Sequence, residues 1–390
     1  MFLKSFGVLC AIAVASVTLF VDGGSGFAAS VTQGRYVGYD PGQHYNLWTY
    51  DVVYRRAGAD SWLVRIYEPQ GTGPFPLLLD VHGGVWGQLD RTLNAMIDQA
   101  LAASGVVVAA IDFRQAPRDP YPASVADVNY ATRWLKVHAR DFNADPQTIG
   151  GLGMSSGGHL VMLSAMRPRD PRYAALPLTA PARIDATLGY VIALYPILDP
   201  YARYLFAQQT GRDDLIKGHN AYFQTPEAMR EGNPTLILSR GERVEHPPTL
   251  LLQGTADRNV TVEMQERFAA AYHATSGTLE MVAFPNTPHG FTLSPGPDTD
   301  RAIVLMKAFI ARQLGRVARQ TPAHGKLGSS RMTGPRMPRF GSFLDTGTTF
   351  LDLGSLRPGM MPTLSCGTMP VPSRAPVSDR CAKAPPPSRA

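Results

Sequence analysis

Ser155 stands in Gly153-Met154-Ser155-Ser156-Gly157, a G-x-S-x-G pattern. It follows a strand-like run ending at Met154 and precedes a helix-like run with Leu160, Val161, Leu163 and Met166. A serine hydroxyl is a weak nucleophile until a base takes its proton, and an imidazole base needs a carboxylate to hold it in one tautomer. Two downstream positions carry those groups. Asp257 follows the apolar run Pro248–Gln253, in Gln253-Gly254-Thr255-Ala256-Asp257, and His289 lies in Asn286-Thr287-Pro288-His289-Gly290-Phe291. Taken singly, each has an ordinary reading: a chance pentapeptide, a turn-capping aspartate, a surface histidine. Together, in this order and each just past a strand, they point to nucleophile, orienting acid and base.

Acyl transfer also needs donors for a developing oxyanion. Glycine two residues to either side of Ser155 permits a strained strand-to-helix turn, which aims the backbone N–H of Ser156 at the reacting centre. Val81-His82-Gly83-Gly84-Val85-Trp86-Gly87 follows another apolar run and offers the unshielded amides of Gly83 and Gly84. Each such donor contributes on the order of 3 kcal/mol to transition-state stabilisation. Val85, Trp86 and Met154 flank these groups and are expected to wall the substrate pocket. His159 reads as a packed helix histidine, and Asp199, before Pro200, as a turn residue rather than the triad acid.

The elements that would position these groups alternate regularly. Leu47–Tyr54 and Ser61–Tyr67 read as an antiparallel pair. Phe75–His82, Gly105–Ile111, the run before Ser155, Gly189–Tyr195, Pro248–Gln253 and Glu280–Phe284 read as mostly buried strands. Helical patterns separate them, at about Arg91–Ala103, around Val125–Leu135, after Ser155, and at about Thr261–His273 and Thr299–Leu314. This alternation predicts an α/β class, with a mostly parallel doubly wound sheet flanked by helices. Residues 196–246 are too many for a plain crossover and read as a small helical lid over the strand ends.

The chain resembles the serine esterases of the α/β-hydrolase fold with an HGG-type oxyanion loop. These are the relatives of hormone-sensitive lipase and, more closely, the bacterial secreted branch related to feruloyl and acetyl-xylan esterases (BD-FAE-like proteins). The resemblance is carried by His82-Gly83-Gly84-Val85-Trp86, Asp112–Pro117 with Tyr121-Pro122-Ala123, Gly153–Leu160, Gly254–Asp257 and Pro288-His289-Gly290. It covers roughly residues 45–315. It implies Ser155 as nucleophile, His289 as base, Asp257 as orienting acid, Gly83, Gly84 and Ser156 as amide donors, and a structural role for Asp127. Two departures stand out: Val85 replaces a common third glycine, and Met154 replaces the acidic residue usual in the hormone-sensitive-lipase group. The expected activity is hydrolysis of small-molecule, short-chain acyl or aryl esters. An arylformamidase, a prolyl-oligopeptidase-like peptidase and a catalytically silent binding protein are the alternatives.

The two ends differ from the body. Residues 1–28 have the layout of a secretory signal peptide, with Lys4 before an apolar run and small residues around Ala28, and imply a periplasmic or secreted protein. Residues 29–44 read as an arm, 45–315 as the catalytic domain and 316–390 as a disordered tail rich in Pro, Gly and Ser. The tail holds 11 of the 37 Lys and Arg but 3 of the 31 Asp and Glu, which leaves 26 basic against 28 acidic side chains elsewhere. The basic balance therefore belongs to the tail, and neither a nucleic-acid partner nor a membrane span after signal cleavage is expected. Cys10 lies in the leader, and Cys366 and Cys381 lie in the tail, free or paired with each other. The body thus has no thiol nucleophile or thiolate metal site. Its histidines lack ligand spacing, so no metal or cofactor is expected.

Overall fold

A computed structural model describes residues 38–180 and 184–320. The expected signal peptide, the first part of the arm, all three cysteines and the chain beyond 320 lie outside the described residues.

Strands form where the sequence is apolar and β-branched. β1 (Leu47–Ala57) and β2 (Asp60–Pro69) pair antiparallel across a turn at Gly58. β3 (Leu77–Val81), β4 (Val107–Ile111), β5 (Gly150–Met154), β6 (Val191–Leu194) and β7 (Thr249–Gly254) are buried along their whole length. Continuous burial is what parallel strands covered on both faces require. β8 (Leu279–Phe284) closes the sheet, whose order is β1-β2-β4-β3-β5-β6-β7-β8. The β1–β2 and β2–β4 pairs are antiparallel and the others parallel. The chain reverses its direction of travel across the sheet between β3 and β5, so a crevice opens beyond their carboxyl ends.

Helices cover both faces. α1 (Ala95–Ala102) and α9 (Pro297–Gln320) bury Ile97, Leu101, Met306, Phe309, Ile310 and Leu314 against Leu78, Val108, Leu152 and Ile192. α2 (Ala123–His138), α3 (Ser156–Met166) and α8 (Val262–Ala274) cover Leu77, Leu79, Val107 and Leu251 on the other face. Two helix ends depart most from expectation. α1 starts at Ala95 rather than near Arg91, because Asp90 accepts from Thr92 N (2.8 Å) and holds a turn there. α9 runs through Gln320, past the expected start of the tail at 316, because Gly315 alone does not stop a helix fixed by a long buried stripe. No helix among the described residues is long and apolar enough to cross a membrane.

The segment between β6 and β7 forms four short helices: α4 (Pro200–Gln209), α5 (Asp213–Phe223), α6 (Pro226–Glu231) and α7 (Pro234–Ser239). Three of them begin with a capping side chain followed by proline, at Asp199-Pro200, Thr225-Pro226 and Asn233-Pro234. Asp199 accepts from Ala202 N at 2.9 Å and is thereby a helix cap.

β3 also carries a buried carboxyl, Asp80, whose two oxygens accept from Asn94 Nδ2 at 2.8 and 3.0 Å. Asp98 of α1 is buried nearby, and neither of its oxygens has a hydrogen-bond partner among the described residues. Burial pushes both acids up, and the charge of Asp80 pushes Asp98 further. An acid whose proton is held more tightly in the folded state loses stability as pH rises from the ordinary carboxylate range through neutrality. Asp98→Asn is therefore expected to raise the melting temperature at pH 8 by about 3 °C or more and to raise it clearly less at pH 5. Thermal melts at the two pH values check this; equal shifts at both would contradict it.

Candidate active site

Ser155 occupies the sharp turn between β5 and α3 with φ +52° and ψ −117°, a backbone state that ordinary residues avoid. Its N–H donates to Leu194 O (2.9 Å) and its carbonyl accepts from Ile197 N (3.0 Å), so both sides of the turn are tied to the end of β6. A β-carbon at Gly157 would lie 2.0 Å from the Val81 carbonyl oxygen, and one at Gly153 would lie 2.7 Å from the Gly157 carbonyl oxygen. Only glycine lets α3 close this tightly on β3.

The three expected side chains meet. Ser155 Oγ donates to His289 Nε2 at 3.0 Å, and His289 Nδ1 donates to Asp257 Oδ2 at 2.7 Å. Asp257 Oδ1 accepts from the backbone N–H groups of Asn259 (2.7 Å) and Val260 (2.9 Å), and Oδ2 accepts from Gln253 Nε2 at 3.0 Å. Burial pushes the Asp257 carboxyl up. The hydrogen bond and charge of His289 and the two backbone donors outweigh that and leave it below the usual carboxylate range. An anionic Asp257 fixes His289 with its proton on Nδ1 and its lone pair facing Ser155, as proton abstraction requires.

Across the crevice, Gly84, Val85 and Trp86 have successive positive φ values of +107°, +52° and +60°. Glycine is needed at the first, since a β-carbon there would lie 2.1 Å from Gln88 O. The N–H groups of Gly83, Gly84 and Ser156 have no protein acceptor among the described residues, so they remain available for an oxyanion. His82 steadies the loop from within: its buried ring stacks on Phe113, and Nδ1 donates to Gly83 O at 2.7 Å.

Val85 stays at the edge of the crevice, half-buried and close to Gly218 of α5. The other two expected pocket walls do not. Trp86 is 0 % and Met154 1 % exposed. The alternation along β5 turns Met154 toward the α1 and α9 face, beside Leu152 and Leu194. Trp86 turns under the lid, where it stacks on Tyr222 (centroids 4.9 Å apart) and donates from Nε1 to His159 Nδ1 at 3.1 Å. Its backbone N–H donates to Ser156 Oγ at 3.2 Å, which links the two halves of the candidate oxyanion hole. His159 donates from Nε2 to Gly232 O (2.8 Å), and burial pulls its pKa down to about 4, so it stays neutral. It is a hydrogen-bonded helix residue, as expected, that joins α3, the oxyanion loop and the lid. Asp127 is equally structural: it takes Arg55 Nη1 (3.0 Å) and Arg114 N (2.7 Å).

Two further residues adjoin the candidate triad. Gln253 bonds Asp257, and its one sequence signal is a polar residue ending an apolar strand. Tyr195, with φ +37°, places its ring 4.8 Å from that of His289. Nothing in its sequence context marks it.

A family model of BD-FAE matches residues 64–272, more than half of the chain. The chain belongs to the BD-FAE family. It is 31% identical over 239 residues to Esterase LipC of Mycobacterium tuberculosis, covering 58% of this chain and 56% of that protein. It is 26% identical over 251 residues to the probable carboxylic ester hydrolase LipM of the same organism, covering 62% and 55%. This BD-FAE member thus spans just over half the length of these relatives. Among solved structures it is similar to EstE1, a thermostable carboxylesterase from a metagenomic library, with a TM-score of 0.57, 23% identity and coverage of 69% of this chain and 90% of that one. Propionate-bound Est2 of Thermogutta terrifontis gives 0.53 and 24%, covering 70% and 96%. These likenesses establish the α/β-hydrolase fold.

Replacing His159 by leucine leaves a buried indole N–H and the Gly232 carbonyl unsatisfied, at a cost of about 1–3 kcal/mol. Glutamine, with an acceptor and a donor of its own, is expected to recover most of that. Urea unfolding of the two variants checks the order; equal losses would show that ring packing, not the hydrogen bonds, matters.

Proposed function

We propose that this BD-FAE member is a carboxylic ester hydrolase acting through an acyl-enzyme on Ser155. The observation that carries the reading is the unbroken hydroxyl–imidazole–carboxylate chain, with links of 3.0 and 2.7 Å, beside three unclaimed amide donors. The names of LipC and LipM support the same reading. In the first half-reaction His289 Nε2 takes the Ser155 proton while Oγ attacks the ester carbonyl. The tetrahedral oxyanion accepts from Ser156, Gly83 and Gly84. Its collapse expels the alcohol, which leaves with the proton from His289. In the second, water gives its proton to His289 and attacks the acyl carbonyl. The acid departs and Ser155 regains its proton.

Short acyl or aryl groups suit a crevice in which Val85 is pressed against α5 and the lid is tied down at Gly232. The charge and apolar pattern of residues 1–28 supports action in the periplasm or outside the cell.

Stopped-flow measurement of p-nitrophenol release from the acetate and butyrate esters tests the reading. A burst followed by steady turnover is expected, with Ser155→Ala lowering kcat by about 10⁴ or more. Equal, slow release from both proteins would overturn it.

A further inference from the structure

Arg203 of α4 is wholly buried, yet it forms no ion pair among the described residues. Its Nε donates to the backbone oxygen and Oδ1 of Asn259 at 3.1 and 3.0 Å, and Nη2 also donates to Oδ1. Its Nη1 faces His219 Nδ1 at 3.5 Å, but that nitrogen donates to Leu215 O at 2.8 Å and cannot accept. A guanidinium in such a place is tolerated only with a negative charge close by. The candidate anion lies on the far side of the same asparagine, whose N–H donates to Asp257 Oδ1 at 2.7 Å.

We propose that Arg203 is a positioning residue of the triad: a buried counter-charge, carried by the lid, that braces Asp257 through Asn259 and offsets its negative charge. The proposal rests on the Ser155–His289–Asp257 reading above and adds a group that this reading does not need.

The surrounding charges leave Arg203 in that role. Arg212 and Asp214, at the start of α5, pair with each other at 2.8 Å and largely cancel. Burial pulls His219 down to about 3, so it brings no charge. Burial also pulls the guanidinium down, and Asp257 is the first charge that pushes it back up. On its other side His289 meets the ring of Tyr195, which burial keeps neutral.

Offsetting part of the Asp257 charge makes His289 take up a second proton less readily. Losing the cation should therefore move the acidic limb of the kcat/KM profile to higher pH. Arg203→Gln is expected to raise its midpoint by about 0.5–1 pH unit and to lower kcat about tenfold, with KM changed less than twofold. Arg203→Lys, which keeps the charge, is expected to hold the wild-type midpoint. Arg203→Met, with no buried polar group to satisfy, serves if the glutamine variant does not fold, and the same shift is expected. An unchanged midpoint and kcat in the neutral variants overturns the proposal, as does an equal shift in Lys and Gln. NMR titration of the His289 ring in full-length wild-type and variant proteins reads the same shift without turnover. A failure of Ser155 catalysis is thereby told apart from a failure of this inference.

Discussion

The backbone of Ser155 is held where L-residues rarely go, and most of the site follows from how it is held. The turn survives because Gly153 and Gly157 let α3 pack directly on β3 and β5, and because its own N–H and C=O are bonded to residues at the end of β6. Strain of this kind persists only where the surroundings over-determine it. Once α3 begins at Ser156, that N–H points into the crevice and His159 falls one turn further along the same helix. His159 then fixes Trp86, and Trp86 fixes the run of positive-φ residues that presents the second set of amides. Ser155 and the candidate oxyanion donors are thus positioned by one connected set of buried contacts.

The lid belongs to the same set. Glu231, at the end of α6, pairs with Arg167 at 2.8 Å and Arg172 at 2.9 Å, and the next carbonyl along accepts from His159. Tyr121 Oη donates to Glu231 at 2.5 Å and lies 2.7 Å from Tyr173 Oη, which ties α6 to the body through partly buried groups. Tyr222 and Phe223 of α5 close over the Trp86 ring. Contacts this numerous fit a fixed cover that shapes the crevice better than a flap that must open at each turnover.

The candidate triad was legible because an α/β sheet brings the carboxyl ends of its strands together whatever their separation in sequence. Ser155, Asp257 and His289 each stand just past such an end. The double glycine after His82 was legible for the same reason. Direction was not. Trp86 and Met154 sit beside oxyanion and nucleophile residues in sequence, yet strand alternation and the lid turn both side chains into the core. Tyr195 and Arg203 were invisible for another reason: their roles depend on what lies opposite them in three dimensions, which no local pattern carries. The helix ends at Ala95 and Gln320 were set by a local side-chain turn and by a long buried stripe, each overriding simple periodicity.

In the proposed mechanism one serine, by virtue of its turn and its imidazole, is activated above every other serine of the chain. Incubation with a fluorophosphonate, followed by intact mass and peptide mapping, measures that most directly. One adduct per chain is expected, on Ser155, with its loss when His289 is replaced by alanine. Labelling spread over several serines, or an unlabelled Ser155 in a folded protein, would contradict it.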